Sequence, residues 1–158
     1  MRVAKRPDRS CLAVRPAEGR DLASVHAFLE AEGLPVAGVE EWLPDFLVAE
    51  HENQIVGVAG LELYEASALL RSVAVRSDWR GTGLGRELVD RLLSEARERG
   101  IHDVYLLTTT AEHYFPRLGF GCISRDQVPE GVRSSAEFTG ACPDSAVCMQ
   151  RTLEADAE

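Results

Sequence analysis

At 158 residues with 45% hydrophobic content, the chain has enough apolar material for one well-filled core and little for a second domain. A net charge of -9, with no visible clustering of Lys and Arg, excludes a partner gripped by its phosphate backbone, so no nucleic acid is expected. No run approaches the ~20 apolar residues that cross a bilayer, and the basic residues 1–10 lead into no signal-peptide core, so no membrane is expected and the expected location is the cytoplasm.

Residues 1–10 read as a disordered extension and residues 11–15 as a first strand. Leu22, Val25 and Leu29 recur at helical spacing and predict a helix over 21–32, stopped by Gly33, Leu34 and Pro35. A helical turn is expected over 38–43. Segment 31–44 also carries Gly33, Pro35, Gly38 and Pro44 and reads as a lid over a small-molecule pocket lined by Leu34, Val36, Val39 and Trp42, although Trp42 could equally seat the helix on the sheet. Two apolar runs, 46–50 and 55–63, predict a hairpin turning through 51–54, with Gly57 and Gly60 marking a bulge or a close backbone approach. A strand over 68–75 continues the sheet. The helix expected over 85–99 places Leu88, Val89, Leu92, Leu93 and Ala96 on one face and stops at Gly100. A buried strand over 104–107, a brief helix over 111–118 and a last strand over 145–153 follow, before an acidic tail at 154–158. The sum is one α/β domain over 11–153, a mixed central sheet flanked by helices. Its last strand is also the segment that could pair across a homodimer.

Cys11, Cys122, Cys142 and Cys148 contain no C-x-x-C pair, and His26, His51, His102 and His113 contain no H-E-x-x-H, so free thiols and ordinary histidines are expected and no metal.

The chemistry concentrates where the strand ending Val73, Ala74, Val75 passes through Arg80, Gly81, Thr82, Gly83, Leu84 and Gly85 into a helix. Residues without a Cβ let backbone N–H groups converge on one point, and the first helical turn adds unpaired donors and the positive end of its dipole. That combination favours a phosphate or pyrophosphate. The spacing is neither the G-x-G-x-x-G dinucleotide fingerprint nor a P-loop, which would end in Lys and Ser or Thr. Arg71 lies among apolar strand neighbours and shares a face with Leu69, Val73 and Val75 if alternation holds. It reads either as a bidentate clamp for a substrate carboxylate or as a structural ion pair with Glu62 or Glu65. Arg133 is a second candidate anion contact or a solvated loop arginine.

Val73-Ala74-Val75 followed by Arg80-x-x-Gly83-x-Gly85 resembles the acyl-CoA signature of the GNAT superfamily of N-acetyltransferases, and the flanking order of strand, threonines 108–110, short helix and Gly119-Phe120 extends the resemblance over 11–153. The run Leu69-Leu70-Arg71-Ser72-Val73-Ala74-Val75 is similar to amino-acid N-acetyltransferases. Together with L-L-T-T-T-A-E and C-P-x-S-A-V-x-M-x-R, it is similar to the arsenic-resistance N-acetyltransferases of the ArsN type. The resemblance implies a GNAT-like fold and transfer of an acetyl group from acetyl-CoA to the amine of a small amino-acid-like acceptor, with a link to arsenic resistance. It implies that Val73, Ala74, Val75, Arg80, Gly81, Thr82, Gly83, Leu84, Gly85, Arg86 and Thr109 hold the co-substrate and that the Val73 amide faces the reacting carbonyl. Arg71, Ser72, Trp42 and Arg133 are the candidate acceptor contacts. The chain departs from many members in having Leu69 where they carry a glutamate and Phe115 where they carry a tyrosine. Glu62, with Glu32, Glu40 and Glu41 behind it, is then the candidate base, and Tyr114 the candidate acid. Acetylation of a protein or peptide, or a sensor that binds acyl-CoA without turnover, are the competing readings.

Overall fold

The computed structural model describes residues 9–109, 114–141 and 145–153. The expectations for residues 1–8, for the tail at 154–158, for His113 and for Cys142 lie outside the described residues. Arg9 and Ser10, expected in a disordered extension, instead form a 3-10 turn with Cys11. Arg9 is held there because its guanidinium donates to the Thr82 carbonyl at 3.0 Å and to Glu87 at 2.7 Å.

The first strand starts two residues later than expected, as β1 (Ala13–Pro16), and leads into α1 (Leu22–Ala31) and a single helical turn, α2 (Val39–Trp42). The hairpin is β2 (Phe46–His51) and β3 (Gln54–Tyr64), joined by Glu52 and Asn53 with φ of 51° and 64°, the left-handed pair that a two-residue turn needs. β4 (Ser67–Val75) completes an antiparallel meander. α3 (Leu84–Glu98) then crosses over to β5 (Asp103–Thr108), which lies parallel to β4. β6 (Gly121–Cys122), α4 (Glu130–Arg133) and β7 (Val147–Thr152) follow, giving the sheet order β1-β2-β3-β4-β5-β7-β6. β7 is thus interior, and Met149 and Gln150 pair with both β5 and β6, so the last strand in sequence is not the edge.

α3 covers one face, where Leu84, Leu88, Val89, Leu92, Leu93 and Ala96 pack on Leu47, Leu61, Leu70 and Leu106. At about 25 cal/mol per Å² of apolar area removed from water, this layer is the main stabilising term. α1 and α2 cover part of the opposite face through Val25, Leu29 and Val39 on Phe46, Val48 and Val58, and Val132 of α4 covers the rest with Leu69, Tyr105 and Cys148. Gly60 is required by close approach, since a Cβ there would fall 2.3 Å from the Phe46 ring.

The expected alternation along β4 fails at one point. Gly60 pairs with Arg71 and Val58 with Ala74, so Ser72 and Val73 together face the single residue Ala59. Ser72 takes φ of 59° to absorb the extra residue. Before this bulge Ala68 and Leu70 point toward α3, and after it Val73 and Val75 do. Arg71 therefore shares its face with Leu69 and Ala74, not with Val73 and Val75.

Candidate active site

β4 and β5 pair only where Ser67, Ala68 and Leu69 meet Asp103, Val104 and Tyr105. Beyond that they are unpaired, because the bulge turns β4 aside while β5 follows β7. The opening is a cleft of about 980 Å³, walled by Leu70, Ser72, Val73 and Val75 on one side and by Leu106, Leu107, Thr108 and Thr109 on the other.

The glycine turn closes the mouth of this cleft. Trp79 is buried beneath it, edge-on to His51, and the Thr82 hydroxyl donates to the Trp79 carbonyl at 2.6 Å, fixing the turn against the core. Gly83 stands at the N-cap of α3 with φ of 86°, a conformation unfavourable to other residues. The first ladder bond of α3 runs from the Glu87 N–H to the Gly83 carbonyl, so the N–H groups of Leu84, Gly85 and Arg86 have no partner within the helix. Gly81, Gly83, Leu84, Gly85 and Arg86 all line the cleft. With the helix dipole behind them, these donors suit a phosphate group.

Arg80 lines the cleft, and its guanidinium is engaged in this structure. It donates to the Val75 carbonyl at 3.2 Å and to Glu32, just beyond α1, at 2.8 Å, tying the Gly33 to Pro35 wall to the glycine turn.

Tyr114 reaches the same mouth. Its hydroxyl lies 2.9 Å from where a Cβ on Gly85 would stand, and burial, reinforced by the Asp90 carboxylate, holds the phenol above its usual range. The group is therefore a proton donor throughout the neutral range. Phe115 lies beside it and lines the cleft from the core side.

Arg71 does not line the cleft among the described residues. Its side chain is 0% exposed, and its donors go to Glu62 at 2.7 Å, to the Ser72 hydroxyl at 3.0 Å and to the Pro35 carbonyl at 3.3 Å, with Glu137 at 3.5 Å from its Nε. The structural ion pair with Glu62 is what the geometry holds. With these partners the guanidinium is committed behind the bulge, and Arg71 is absent from the cleft lining where a carboxylate clamp was expected. Glu62 is likewise removed from the cleft, 1% exposed, accepting from Arg71 and from the Tyr64 hydroxyl. Burial and the Glu62 carboxylate push the Tyr64 phenol up.

Trp42 is set back from the cleft, its ring tilted against that of Tyr64 with centroids 5.4 Å apart, and Val39 is fully buried in the core, so of the proposed lid only Gly33, Leu34 and Pro35 reach the cleft. The physical reason is the register of the α2 turn, which rolls its apolar side onto β3. Arg133 is exposed at the end of α4, away from the cleft lining. Glu40 and Glu41 are exposed, also off the lining.

One residue was missed by sequence reasoning. Glu137 opens a π-type turn, Glu137–Ala141, and lines the cleft beside Ser72. Its only local signal is a lone acid between Ala136 and Phe138. Among the described residues no three His, Cys, Asp or Glu side chains come together as metal ligands, and no helix is long and apolar enough to cross a membrane.

A sheet opened between parallel strands, with a helix N-terminus at the mouth, defines a class of protein that lays a long phosphorylated ligand along a strand. A family model described as an acetyltransferase (GNAT) domain matches residues 43–121, half of the chain. The chain belongs to the GNAT acetyltransferase family. An uncharacterized N-acetyltransferase from Chlorobaculum tepidum is 29% identical over 123 residues, which are 75% of this chain and 77% of that protein. The amino-acid acetyltransferase of Ralstonia nicotianae is 34% identical over 111 residues, 66% of this chain, but the match spans only 25% of that enzyme's length. A Mycobacterium tuberculosis protein solved in complex with CoA superposes with a TM-score of 0.75 at 26% identity, over 90% of this chain and 99% of that one.

Proposed function

We propose that the chain moves an acetyl group from acetyl-CoA to the amine of a small amino-acid-like molecule. The observation that carries this reading is the bulge at Ser72, which opens β4 from β5 and turns Val73 toward the cleft directly above the glycine turn. The residues suit the co-substrate: a Cβ on Gly81 would meet nothing within 4 Å, and one on Gly83 only the Arg9 guanidinium at 3.9 Å, so the approach to the donor amides is open.

In this mechanism the N–H groups of Leu84, Gly85 and Arg86 hold the pyrophosphate, with Arg80, Gly81, Thr82 and Gly83 shaping the loop around it. The backbone of Val73, Ala74 and Val75 aligns the pantetheine arm, with Thr109 on the facing wall. The Val73 N–H donates to the thioester oxygen as negative charge develops there. Tyr114 delivers a proton to the leaving sulfur. Ser72 lies beside the acceptor, and Arg71 acts from behind, holding the bulge and its neighbouring carboxylates in place.

The family's amino-acid acetyltransferases support an amino-acid-like acceptor, and the three segments similar to arsenic-resistance enzymes support including organoarsenical amino acids. The test is acetyl-CoA-dependent release of CoA against a panel of amino acids, organoarsenical amino acids and short peptides. Turnover of free amino acids is expected. Turnover of peptides alone would redirect the reading to protein acetylation, and tight acetyl-CoA binding without any turnover would make the chain a sensor.

The Arg80 to Glu32 contact carries a further expected result. Arg80 is 60% exposed and Glu32 19%, so the pair is a partly solvated one that a bound phosphate must displace. Glu32→Ala is expected to tighten acetyl-CoA binding by up to about five-fold, the ~1 kcal/mol upper range for such pairs. Calorimetric titration checks it, and unchanged affinity would mean that Arg80 keeps Glu32 as its partner in the complex.

A further inference from the structure

Among the described residues a single acidic side chain lines the cleft, Glu137, and it does so on the wall shared by Leu34, Pro35 and Ser72. It is 6% exposed, and its carboxylate stands 3.5 Å from the Arg71 Nε. Arg71 is already committed to Glu62 at 2.7 Å, and its Nε also donates to Ser72 at 3.0 Å. Two buried carboxylates therefore share one guanidinium, and the closer partner is the one away from the cleft. Of the two carboxylates, Glu137 is the one that faces the cleft, where a cation entering beside Ser72 can reach it.

We propose that Glu137 receives the acceptor's ammonium group and removes the proton that must leave before attack. This rests on the acetyltransferase reading above and gives that reaction the base that Leu69 and the sequestered Glu62 do not supply. An ammonium entering beside Ser72 gives up one proton to the Glu137 carboxylate. The freed nitrogen lone pair forms the C–N bond at the thioester carbon as the C–S bond breaks. The second nitrogen proton ends on the departing sulfur, by way of Tyr114 or water, and Glu137 returns its proton to solvent. The acceptor class selected is a primary amine that is cationic in solution, over alcohols and amides of similar size.

The test compares the unaltered protein with Glu137→Gln on two acceptors: the best amino acid of the panel, and an alkoxyamine that is already neutral at the assay pH. For the amino acid, kcat/KM is expected to fall on the order of 100-fold or more, the usual range for a lost general base. The acetyl-CoA Kd and the melting temperature should stay near those of the unaltered protein, and the alkoxyamine rate should fall far less. An unchanged amino-acid rate, or an equal fall on both acceptors, overturns the assignment, the second because it marks a merely structural role. If Glu137→Gln does not fold, Glu137→Asp keeps the charge beside Arg71 and withdraws it by one methylene, and the same difference between acceptors is read. If the unaltered protein turns over no amine at all, the acetyltransferase reading itself fails and this one falls with it.

Discussion

Arg71→Ala is expected to remove about 3–5 kcal/mol of folding free energy, a large share of the ~5–15 kcal/mol that holds an ordinary domain together. The cost arises because Glu62 and Glu137 are left in a low-dielectric site with no guanidinium between them, and Glu62 is 1% exposed. Gly38 approaches the same guanidinium so closely that a Cβ would stand 3.1 Å from its Nη1, so the variant also leaves a void under α2. Urea unfolding measures the loss. Adding Glu62→Ala to Arg71→Ala should recover part of it, since the second change takes away the more deeply buried orphan charge. A variant that keeps its stability and loses only its Michaelis constant for the amine would restore Arg71 to the role of carboxylate clamp.

Gly85→Val is expected to weaken acetyl-CoA binding on the order of 100-fold, equivalent to losing one or two charge-assisted hydrogen bonds at ~1.5–3 kcal/mol each. Gly85 sits in the first turn of α3 with ordinary helical freedom, so the backbone accepts a side chain there. The space does not: a Cβ would meet the Tyr114 hydroxyl at 2.9 Å and the Val75 Cγ2 at 3.4 Å, at the throat where the phosphate must approach the helix. Because that throat is a surface of the cleft and not the core, the melting temperature should change little. Gly85→Ala should bind more weakly than the unaltered protein but far better than Gly85→Val, and Tyr114→Phe should improve it further by removing the colliding hydroxyl. Calorimetric titration of acetyl-CoA against the variants checks the order. Equal affinity of Gly85→Val and the unaltered protein would move the phosphate site off the α3 N-terminus.

The glycine turn, the meander and the amphipathic α3 were legible in the chain because each is set by contacts a few residues apart. Gly83 announces a left-handed cap, Leu88, Val89, Leu92, Leu93 and Ala96 recur at helical spacing, and the 52–53 pair fits a two-residue turn. The acceptor side was not legible. The roles foreseen for Trp42, Arg133 and Arg71 depended on which way each side chain faces, and a single inserted residue at Ser72 reverses every later position of β4. Nothing in Leu70-Arg71-Ser72-Val73 marks that insertion, since its cause is the pairing of Gly60 and Val58 on another strand.

By itself the sequence determined the α/β class, the helices α1 and α3 and most of the strands, and a glycine turn at the start of α3, because propensity, periodicity and glycine geometry act locally. The tertiary structure alone decided that β7 inserts between β5 and β6, that β4 and β5 part to make the cleft, that Arg71 and Glu62 neutralise one another behind it, and that Glu137, distant in sequence from both, stands at its wall. Those outcomes follow from register and from the burial of charge, which are properties of strands and carboxylates meeting across the whole chain.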